Sequence, residues 1–473
     1  MVFSSSLFIL YFLPAFLIIY FLLAKRFKNI FTLLASIFFY SWGAPTFIFI
    51  VLGSITIDFY AVQWMNKKNG RAKNLLLAFS VFLNVGLLLY FKYSNFFVDN
   101  LNELLLSIGF HPMGWIRIAL PIGISFFTFQ KLTYSIDVYR KVHQPLNKLT
   151  DYALYILMFP QLIAGPIVRY NEIADQLVDR EANENINNRL TGFFRFVIGL
   201  SKKVLIANVL GEEVDNIFAM QTQDISAFTA WFGIIAYSFQ IYFDFSGYSD
   251  MAIGIGRMIG FKFPENFNNP YISQNISEFW RRWHITLGRF MKDYLYIPLG
   301  GNRVSKSRMF FNLWIVFLIS GFWHGAAWAF VFWGAFHGLF LIADRLFLLK
   351  FYKAIGKIPS VIITYFIVLI GWVFFRAEDI GYAWNYIERM FTFNGSGSNL
   401  YLDVKFFSIL IIAAFFAFFG IIPGIEKWQG KILAEKQKIF SIYIMVAFSV
   451  LFLIICIASI TSSGFNPFIY FRF

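Results

Sequence analysis

Long apolar segments separated by short polar loops run along most of the chain. Each segment is close to the ~20 residues that an α-helix needs to cross the ~30 Å hydrocarbon core of a bilayer. The pattern predicts an all-α polytopic membrane protein, and we expect about ten or twelve spans because several segments are short or interrupted. The clearest segments lie near residues 7–24, 30–42, 46–65, 75–91, 358–375, 405–422 and 440–460.

The central segments are less regular than those at either end. Residues 116–135 contain Gln130 and Lys131, and residues 152–167 are interrupted by two prolines. Polar, broken helices are tolerated at membrane depth only where other protein or a cavity covers them, so we expect these helices to be covered. Because no internal repeat or soluble module is visible, residues 1–473 are predicted to form a single transmembrane domain.

Composition and charge support this class and exclude others. Hydrophobic residues make up 59% of the 473 and charged residues 14%, whereas soluble domains carry about 25% charged residues. The net charge of +14 comes from Lys and Arg in short loops such as residues 25–28 and 67–73. That distribution is the positive-inside pattern, which predicts contact with membrane lipids, not nucleic acid, and places both termini outside. The single Cys456 excludes a disulfide framework or a cysteine-based zinc site, and no metal is expected.

The most informative stretch is residues 309–338, an apolar segment long enough to cross a bilayer, with His324 near its middle. An ionisable side chain at that depth is costly unless it pairs or faces a wet cavity, so it is a candidate functional residue. Small neighbours leave room beside its imidazole, and Ser320 and Trp323 are predicted to line that space. The alternative is that residues 321–325 form a GxxxG packing face and that His324 merely hydrogen-bonds another helix.

A second candidate histidine lies in residues 277–294, SEFWRRWHITLGRFMKDY. Ser277 is a good N-cap, and apolar and basic residues gather on opposite faces at helical spacing. This pattern predicts one helix lying in the membrane interface. His284 falls on the border between the faces, a position from which it can turn into the protein interior, but this helix by itself favours an interfacial anchor. The other histidines (His111, His143 and His337) are interpreted as structural or solvated.

The basic face of this predicted helix carries Arg281, Arg282 and Lys292, with Trp283 next in sequence. Basic clusters on such helices commonly contact lipid headgroups. The functional alternative is a binding site for the phosphates of an acyl donor on the cytoplasmic side. We assign these four residues to donor binding.

Two carboxylates lie in the Gly-rich apolar segment 231–261. Asp244 and Asp250 are interpreted either as a helix cap or buried pair with Arg257, or as part of a cavity wall. We favour the cavity wall, because ionisable groups at membrane depth mark functional sites.

Several motifs together resemble those of membrane-bound O-acyltransferases, and most closely the bacterial alginate O-acetylase branch. The resemblance runs over nearly the whole chain, and the combination of motifs is specific, although no single motif is. The motifs are YFDFSGYSDMAIG (242–254), NISEFWRRWHITLGRFMKDYLYIPLGGNR (275–303), FLISGFWHGAAWAFVFWGAFHG (317–338), PIGISFFTFQKLTYSIDVYR (121–140), FPQLIAGPIVRY (159–170) and the C-terminal FIYFRF.

The resemblance implies a ring of membrane helices around a thin central region, with a funnel from each side meeting near the catalytic histidine. His324 matches the hallmark histidine of the family, and His284 matches the second histidine of the bacterial branch, so both are predicted to be catalytic. The resemblance also implies a bacterial cytoplasmic (inner) membrane, an acyl thioester donor, here acetyl-CoA, and an acceptor outside the membrane, such as the polysaccharide alginate.

Histidine is a suitable general base for acyl transfer to a hydroxyl because its pKa lies near neutral. A dry site would hold the thioester and hydroxyl in line without competing hydrolysis. The second histidine, His284, is predicted to orient the donor or polarise its carbonyl. Peptidoglycan O-acetylation and D-alanyl transfer to teichoic acid stay open as alternatives, and so does a transporter or channel, which broken polar helices would also suit.

The sequence also predicts that this chain works with a partner. It has no Gly-x-Ser-x-Gly elbow and no sizeable predicted domain outside the membrane, and polysaccharides are too bulky for a narrow intramembrane funnel. The alginate-like branch implies an extracytoplasmic hydrolase-type protein that accepts the acetyl group and places it on the polymer. Direct transfer to a lipid-linked or small sugar acceptor is the alternative.

Overall fold

The regular structure of the chain is helical, as the hydrophobic pattern predicts. A computed structural model describes residues 2–163, 165–393, 402–434, 437–462 and 464–467, and all regular elements within these ranges are helices. The C-terminal FIYFRF motif lies outside the described residues. The predicted all-α class is therefore confirmed.

Six of the described helices are long and apolar enough to cross a membrane, and a shorter apolar helix spans Phe8–Leu22. Five of the six, together with the shorter helix, agree with apolar segments predicted near both ends of the chain, and the chain is a multi-pass membrane protein. The sixth, Trp328–Ile355, lies in the central part, and the predicted segment 30–42 lies in the helix Lys25–Gly43, which is not among the six. The expected total of about ten or twelve spans and the external termini stay predictions. The six helices are Phe47–Asn66, Gly70–Ser107, Trp328–Ile355, Lys357–Arg376, Val404–Ile421 and Ile439–Ser462.

Contacts between the helices group the described residues into two units. The first comprises Leu7–Asn185 with Ile259–Phe263. The second comprises Val2–Ser6, Ile186–Met258 and the described residues from Pro264 onward. The single domain over residues 1–473 stays a prediction.

In the first unit, α2 gives way to α3 at Gly43, Ala44 and Pro45, a turn-forming sequence that breaks helices. The α-helices are α1 (Leu13–Leu22), α2 (Lys25–Gly43), α3 (Phe47–Asn66), α4 (Gly70–Leu88), α5 (Ser94–Ser107), α6 (Ile124–Tyr139), α7 (Leu149–Leu157), α8 (Phe159–Leu162) and α9 (Tyr170–Val178). Shorter π- or 3₁₀-helical turns are Phe8–Phe12, Leu89–Tyr93 and Glu181–Asn183.

The polar helix that we expected protein to cover is α6. Its Lys131 is completely buried and donates to Ser54 Oγ at 2.5 Å. Asp58 of α3 accepts hydrogen bonds from Ser80 and Asn84 of α4. These bonds satisfy polar groups that lipid cannot satisfy, so the expectation that protein covers the predicted segment 116–135 is confirmed for its part in α6. Residues 116–120 precede the helix and are mostly exposed.

The second unit carries the candidate site. Its α-helices are α10 (Ile186–Ser201), α11 (Asn208–Phe218), α12 (Ala227–Met258), α13 (Ile276–Arg282), α14 (Ile285–Met291), α15 (Lys306–His324), α16 (Trp328–Ala343), α17 (Leu349–Ile355), α18 (Lys357–Arg376), α19 (Ile380–Phe391), α20 (Val404–Phe418), α21 (Ile425–Ile432) and α22 (Ile439–Ser462). Shorter π- or 3₁₀-helical turns are Lys202–Ala207, Thr222–Asp224, Pro270–Ile272, Lys292–Tyr296, Asp344–Leu348 and Phe419–Ile421.

The long helix α12 is buried along nearly all of its length. Two glycine pairs let the backbone of α10 approach it closely. A Cβ on Gly192 would lie 2.7 Å from the carbonyl oxygen of Gly254, and a Cβ on Gly247 would lie 2.6 Å from that of Gly199. Small residues allow such close packing between membrane helices, so α12 offers a rigid wall to the segments on its other side.

Candidate active site

His324 lies at the end of a helix and not in the middle of a span, which corrects the prediction for residues 309–338. Helix α15 ends at His324 and α16 begins at Trp328, with extended backbone at Gly325 and Ala327 between them. The three connecting residues are small and apolar, so hydropathy alone does not register the break. The chain reverses here, and α15 and α16 pack side by side.

Glycines bring α15 and α16 together. A Cβ on Gly321 would overlap the carbonyl oxygen of Phe330 and lie 3.0 Å from the Cα of Gly334. A Cβ on Gly338 would lie 2.8 Å from the ring of Trp314. The helices are antiparallel, because earlier residues of α15 meet later residues of α16. Close glycine packing therefore exists beside the histidine, and the two interpretations of this stretch are compatible.

His324 is buried among aromatic rings. Its ring centroid lies 4.9 Å from that of Trp323, 5.2 Å from that of Trp333 and 5.2 Å from that of Phe375, all edge to face. Ser320, one turn earlier on α15, is buried too, and its lining role stays a prediction. Aromatic walls of this kind exclude water and leave the imidazole in a medium of low polarity.

Residues 277–294 form two short helices, so the prediction of one continuous interfacial helix was wrong. Helix α13 ends at Arg282 and α14 begins at Ile285. The N-cap is Asn275, whose Oδ1 accepts a backbone N–H of the first turn at 2.7 Å, and not Ser277. The helical spacing of apolar residues continues across the break, which is why the sequence pattern does not reveal it.

The break centres on His284, whose φ of 45° lies in the left-handed region. Residues other than glycine rarely adopt this conformation. Two backbone hydrogen bonds hold it: the Ile285 N–H donates to the Asn266 carbonyl and the Asn268 N–H to the Arg282 carbonyl, each at 2.9 Å. Strained backbone of this kind clusters at functional sites, and here it turns the histidine into the protein, and not to the interfacial position that the helix by itself favoured.

The imidazole of His284 is only 1% exposed. Its Nδ1 lies 3.1 Å from Asn266 Oδ1, and its ring packs edge-on against Phe245 of α12, with 4.7 Å between the centroids. Burial lowers the pKa of His284 to about 3. The ring is therefore neutral at physiological pH, with one nitrogen protonated and the other carrying a lone pair.

Trp323 brings the two candidate histidines into one site. Its ring centroid lies 4.9 Å from that of His324 and 6.4 Å from that of His284. Two imidazoles that lie near the same indole can provide a proton acceptor and a second polar contact for one bound substrate. The catalytic roles of both histidines stay predictions that this arrangement supports.

The basic residues predicted to bind an acyl donor differ in their surroundings. Arg281 and Lys292 are exposed. Arg282 is half-buried and forms ion pairs with Glu278 at 2.9 Å and Glu426 at 2.6 Å. A guanidinium held by two carboxylates is poorly placed to take a phosphate, so Arg281 and Lys292 are the stronger candidates.

Trp283, the fourth predicted donor residue, is buried in an aromatic cluster. Its ring centroid lies 4.9 Å from that of Trp372 and 5.1 Å from that of Phe267. In this position it packs α13 against α18, and a direct contact with the donor stays a prediction.

Asp244 and Asp250 of α12 are held in ion pairs between helical segments. Asp244 Oδ1 lies 3.0 Å from Lys203 Nζ, and Asp250 lies 2.6 Å from both Arg195 and Lys202. Buried carboxylates in a membrane protein require such partners. Their predicted position in a cavity wall stays a prediction.

The cations recorded at these carboxylates differ from the Arg257 considered from sequence. Arg257 donates to the Leu433 carbonyl oxygen at 3.1 Å and to Asn188 Oδ1 at 3.5 Å. The true cations lie in α10 and in the turn after it, and the pattern along α12 alone carries no information about them.

Sequence reasoning missed four residues that touch the histidines: Asn266, Phe245, Trp333 and Phe375. Only Asn266 had a signal, since it stands at the start of a turn-rich segment. The chain contains 64 Phe and 13 Trp, so no aromatic residue could be singled out by type.

His337 is buried, so its solvated interpretation was wrong and the structural one stands. Its ring centroid lies 5.1 Å from those of both Trp280 and Trp333. It therefore packs behind the wall of the site, one indole away from His324.

Comparison with known families gives a match over residues 34–377, described as MBOAT, membrane-bound O-acyltransferase family. The matched region includes both candidate histidines and most of the chain. It therefore covers the part of the second unit in which the site is built.

Curated proteins similar to this chain include two O-acetylases of pseudomonads. The probable alginate O-acetylase AlgI of Pseudomonas aeruginosa is 44% identical over 399 residues, covering 83% of this chain and 75% of that protein. The protein of the same name from Pseudomonas putida is 38% identical and covers 100% of both chains. The peptidoglycan O-acetyltransferase of Helicobacter pylori is 41% identical, covering 84% of this chain and 80% of that protein.

Proposed function

This chain belongs to the membrane-bound O-acyltransferase family, and we propose that it passes acetyl groups from cytoplasmic acetyl-CoA to a polysaccharide outside a bacterial cytoplasmic membrane. The chain is an acyltransferase by family, and its apolar helices make it a membrane protein. The observation that carries the proposal is the approach of His284 and His324 to a single indole, that of Trp323. The distribution of basic loops supports an orientation with both termini outside.

In this proposal His324 is the general base. The hydroxyl oxygen of the acceptor attacks the carbonyl carbon of the thioester, while the hydroxyl proton passes to the imidazole of His324. The tetrahedral intermediate then expels the thiolate of coenzyme A, which takes the proton from the imidazolium. The rings of Trp333 and Phe375 around His324 keep out water that would hydrolyse the thioester.

The phosphates of acetyl-CoA are assigned to Arg281 and Lys292. Both side chains are exposed, Arg281 near the end of α13 and Lys292 directly after α14. The two short helices flank His284, so donor phosphates bound here would be tethered to the segment that carries the second histidine. Charge-assisted hydrogen bonds to phosphate are the strong class of such bonds.

Replacing both Arg281 and Lys292 with Gln is expected to raise the KM for acetyl-CoA about 10-fold or more, since one charge-assisted hydrogen bond is worth about 1.5–3 kcal/mol. The turnover number should change much less, because the phosphates lie away from the reacting carbon. Initial rates at varied acetyl-CoA in detergent-purified protein measure both constants.

The matched control is the double replacement of Lys68 and Arg71 with Gln, which removes the same charge from exposed positions at the junction of α3 and α4. An equal rise in KM in the control would assign the effect to net charge. Cysteines placed at residues 281 and 292 should be protected from impermeant thiol reagents added outside intact cells. Labelling from outside would contradict the assignment.

The final acceptor of the acetyl group is proposed to be an exported polysaccharide such as alginate. The Pseudomonas aeruginosa relative, which is named as a probable alginate O-acetylase, supports this acceptor. The Helicobacter pylori relative, whose identity to this chain is nearly the same, supports peptidoglycan as a second candidate. Transfer of D-alanine to teichoic acid fits less well, since a relative named for it, the teichoic acid D-alanyltransferase of Bacillus subtilis, is only 30% identical and covers 54% of this chain.

A separate extracytoplasmic protein of hydrolase type is proposed to take the acetyl group and place it on the polymer. A bulky chain cannot reach a histidine that is 7% exposed and enclosed by Trp323, Trp333 and Phe375. A serine on a flexible protein segment could reach it, and that serine would carry the acetyl group outward as an ester.

Reconstitution tests the proposal and the partner together. Proteoliposomes loaded with ¹⁴C-acetyl-CoA, with polymer outside, should release coenzyme A and label the polymer only when the secreted partner is added. Full labelling of the polymer by this chain alone would exclude the partner. Movement of intact acetyl-CoA across the membrane without cleavage of the thioester would show that the protein is a transporter and not an enzyme. Alginate and peptidoglycan fragments in parallel reactions identify the acceptor.

A further inference from the structure

Asn266 is bound to the segment around His284 by three hydrogen bonds to one atom. Its Oδ1 lies 3.1 Å from His284 Nδ1, 2.9 Å from the Thr286 hydroxyl and 3.3 Å from the Thr286 backbone nitrogen. Its Nδ2 is buried without a hydrogen-bond partner among the described residues. The hydrogen bonds recorded for this side-chain amide around His284 are therefore made by its oxygen.

The orientation of this amide follows from the chemistry of its neighbours. The backbone N–H of Thr286 is a donor only, so the atom of Asn266 that faces it is the carbonyl oxygen and not the NH₂ group. An oxygen of an amide accepts and never donates. The His284 nitrogen that shares the same oxygen must then be a donor, which makes it Nδ1–H.

We infer that Asn266 is a positioning residue that holds His284 as the Nδ1–H tautomer, with the lone pair on Nε2. This inference rests on the proposed function for its catalytic consequence. A neutral imidazole of this tautomer can accept a hydrogen bond or a proton at Nε2 but cannot donate one there. His284 then acts on the hydroxyl or thiol of a substrate as an acceptor. It does not polarise the thioester carbonyl, which was one of the two roles expected from sequence.

The backbone of the same segment supports this role. The Asn266 carbonyl oxygen accepts the N–H of Ile285 at 2.9 Å, so Asn266 binds both the main chain and the side chain around the left-handed His284. Asn266 therefore orients both the main chain around His284 and its imidazole ring. Partners that orient a histidine in this way set its tautomer and its direction.

The tautomer can be measured directly, because the chain contains only five histidines. ¹⁵N-histidine spectra of the purified protein, assigned by comparison with His284→Gln, should show a protonated Nδ1 and an unprotonated Nε2. Asn266→Ala should give a mixture of tautomers or the reverse tautomer. Asn266→Asp, whose carboxylate keeps the three acceptor contacts, should restore Nδ1–H. A protonated Nε2 in the wild-type spectrum would overturn the inference.

Activity provides the second readout. Asn266→Ala is expected to lower kcat about 10- to 100-fold, as is typical for loss of a partner that orients a histidine, with KM for acetyl-CoA changed less than about threefold. Asn266→Asp should recover most of the loss, even if the alanine variant folds poorly. The matched control is Asn268→Ala, an exposed asparagine of the same segment, which should keep wild-type rates.

The two readouts separate the possible failures. A wild-type protein with Nδ1–H at His284 but no cleavage of acetyl-CoA would refute the proposed function and leave the tautomer assignment intact. Wild-type rates in Asn266→Ala, or failure of Asn266→Asp to restore either the tautomer or the rate, would overturn the positioning role.

Discussion

Acetyl transfer should fall below detection in His324→Ala, while the protein still folds and inserts. The imidazole is the group assigned to take the hydroxyl proton, and loss of a general base costs about 10²–10⁴-fold in rate. The ring lies at the C-terminal end of α15 among Trp323, Trp333 and Phe375. Its removal leaves a space among these rings at the end of the helix. His284→Ala should also lower the rate, but less severely.

Coenzyme A release and polymer labelling measure the effect, and thermal unfolding in detergent checks the fold. His111→Ala is the matched control, because this histidine is exposed and lies in a loop. Retention of more than a few per cent of the wild-type rate in His324→Ala would show that another group is the base. If His324→Ala does not fold, His324→Gln tests the same role, because glutamine keeps most of the side-chain volume.

Gly321→Ala should reduce activity about 100-fold or more, although it adds one methyl group at a residue with no chemical role. Its Cβ would overlap the Phe330 carbonyl oxygen and crowd the Cα of Gly334, and both are backbone atoms. Helices α15 and α16 must then separate, which costs about 1–3 kcal/mol. Gly321 lies one turn before His324, so the imidazole moves with the helix, and a displacement of about 1 Å can cost 10²-fold.

Two glycines of other apolar helices are matched controls. A Cβ on Gly53 of α3 or Gly86 of α4 meets no atom within 4 Å, so Ala there should be neutral or stabilising by up to about 1 kcal/mol. Thermal unfolding and acetyl transfer should separate Gly321→Ala from both. Wild-type activity in Gly321→Ala would contradict the requirement for close packing of α15 and α16.

The helical fold was predictable because the membrane imposes one rule at every position. Lipid cannot satisfy backbone polar groups, so a long apolar segment must be helical, and α3, α18 and α22 lie where hydropathy places them. The two misplaced elements are residues 277–294 and 309–338. In each case a continuous apolar pattern runs across a break that is made by backbone conformation and not by a polar residue.

The site was predictable in its chemistry and not in its arrangement. His284 and His324 were found because buried ionisable groups are rare in apolar sequence. Their approach to Trp323 required the turn at His284 and the reversal after α15. Asn266 was missed as a contact because nothing along the chain shows that its turn-rich segment packs against His284.

The sequence by itself determined the membrane class, the helical architecture, the family and the two histidines, because each of these depends on residue type and spacing along the chain. The tertiary structure decided which partners those residues have. It set Arg282 apart from the other predicted donor-binding residues, because Arg282 forms ion pairs with Glu278 and Glu426. It also paired Asp250 with Arg195 and Lys202. Hydrogen bonds and ion pairs act over about 3 Å in space, and residues distant along the chain meet there only after the helices have packed.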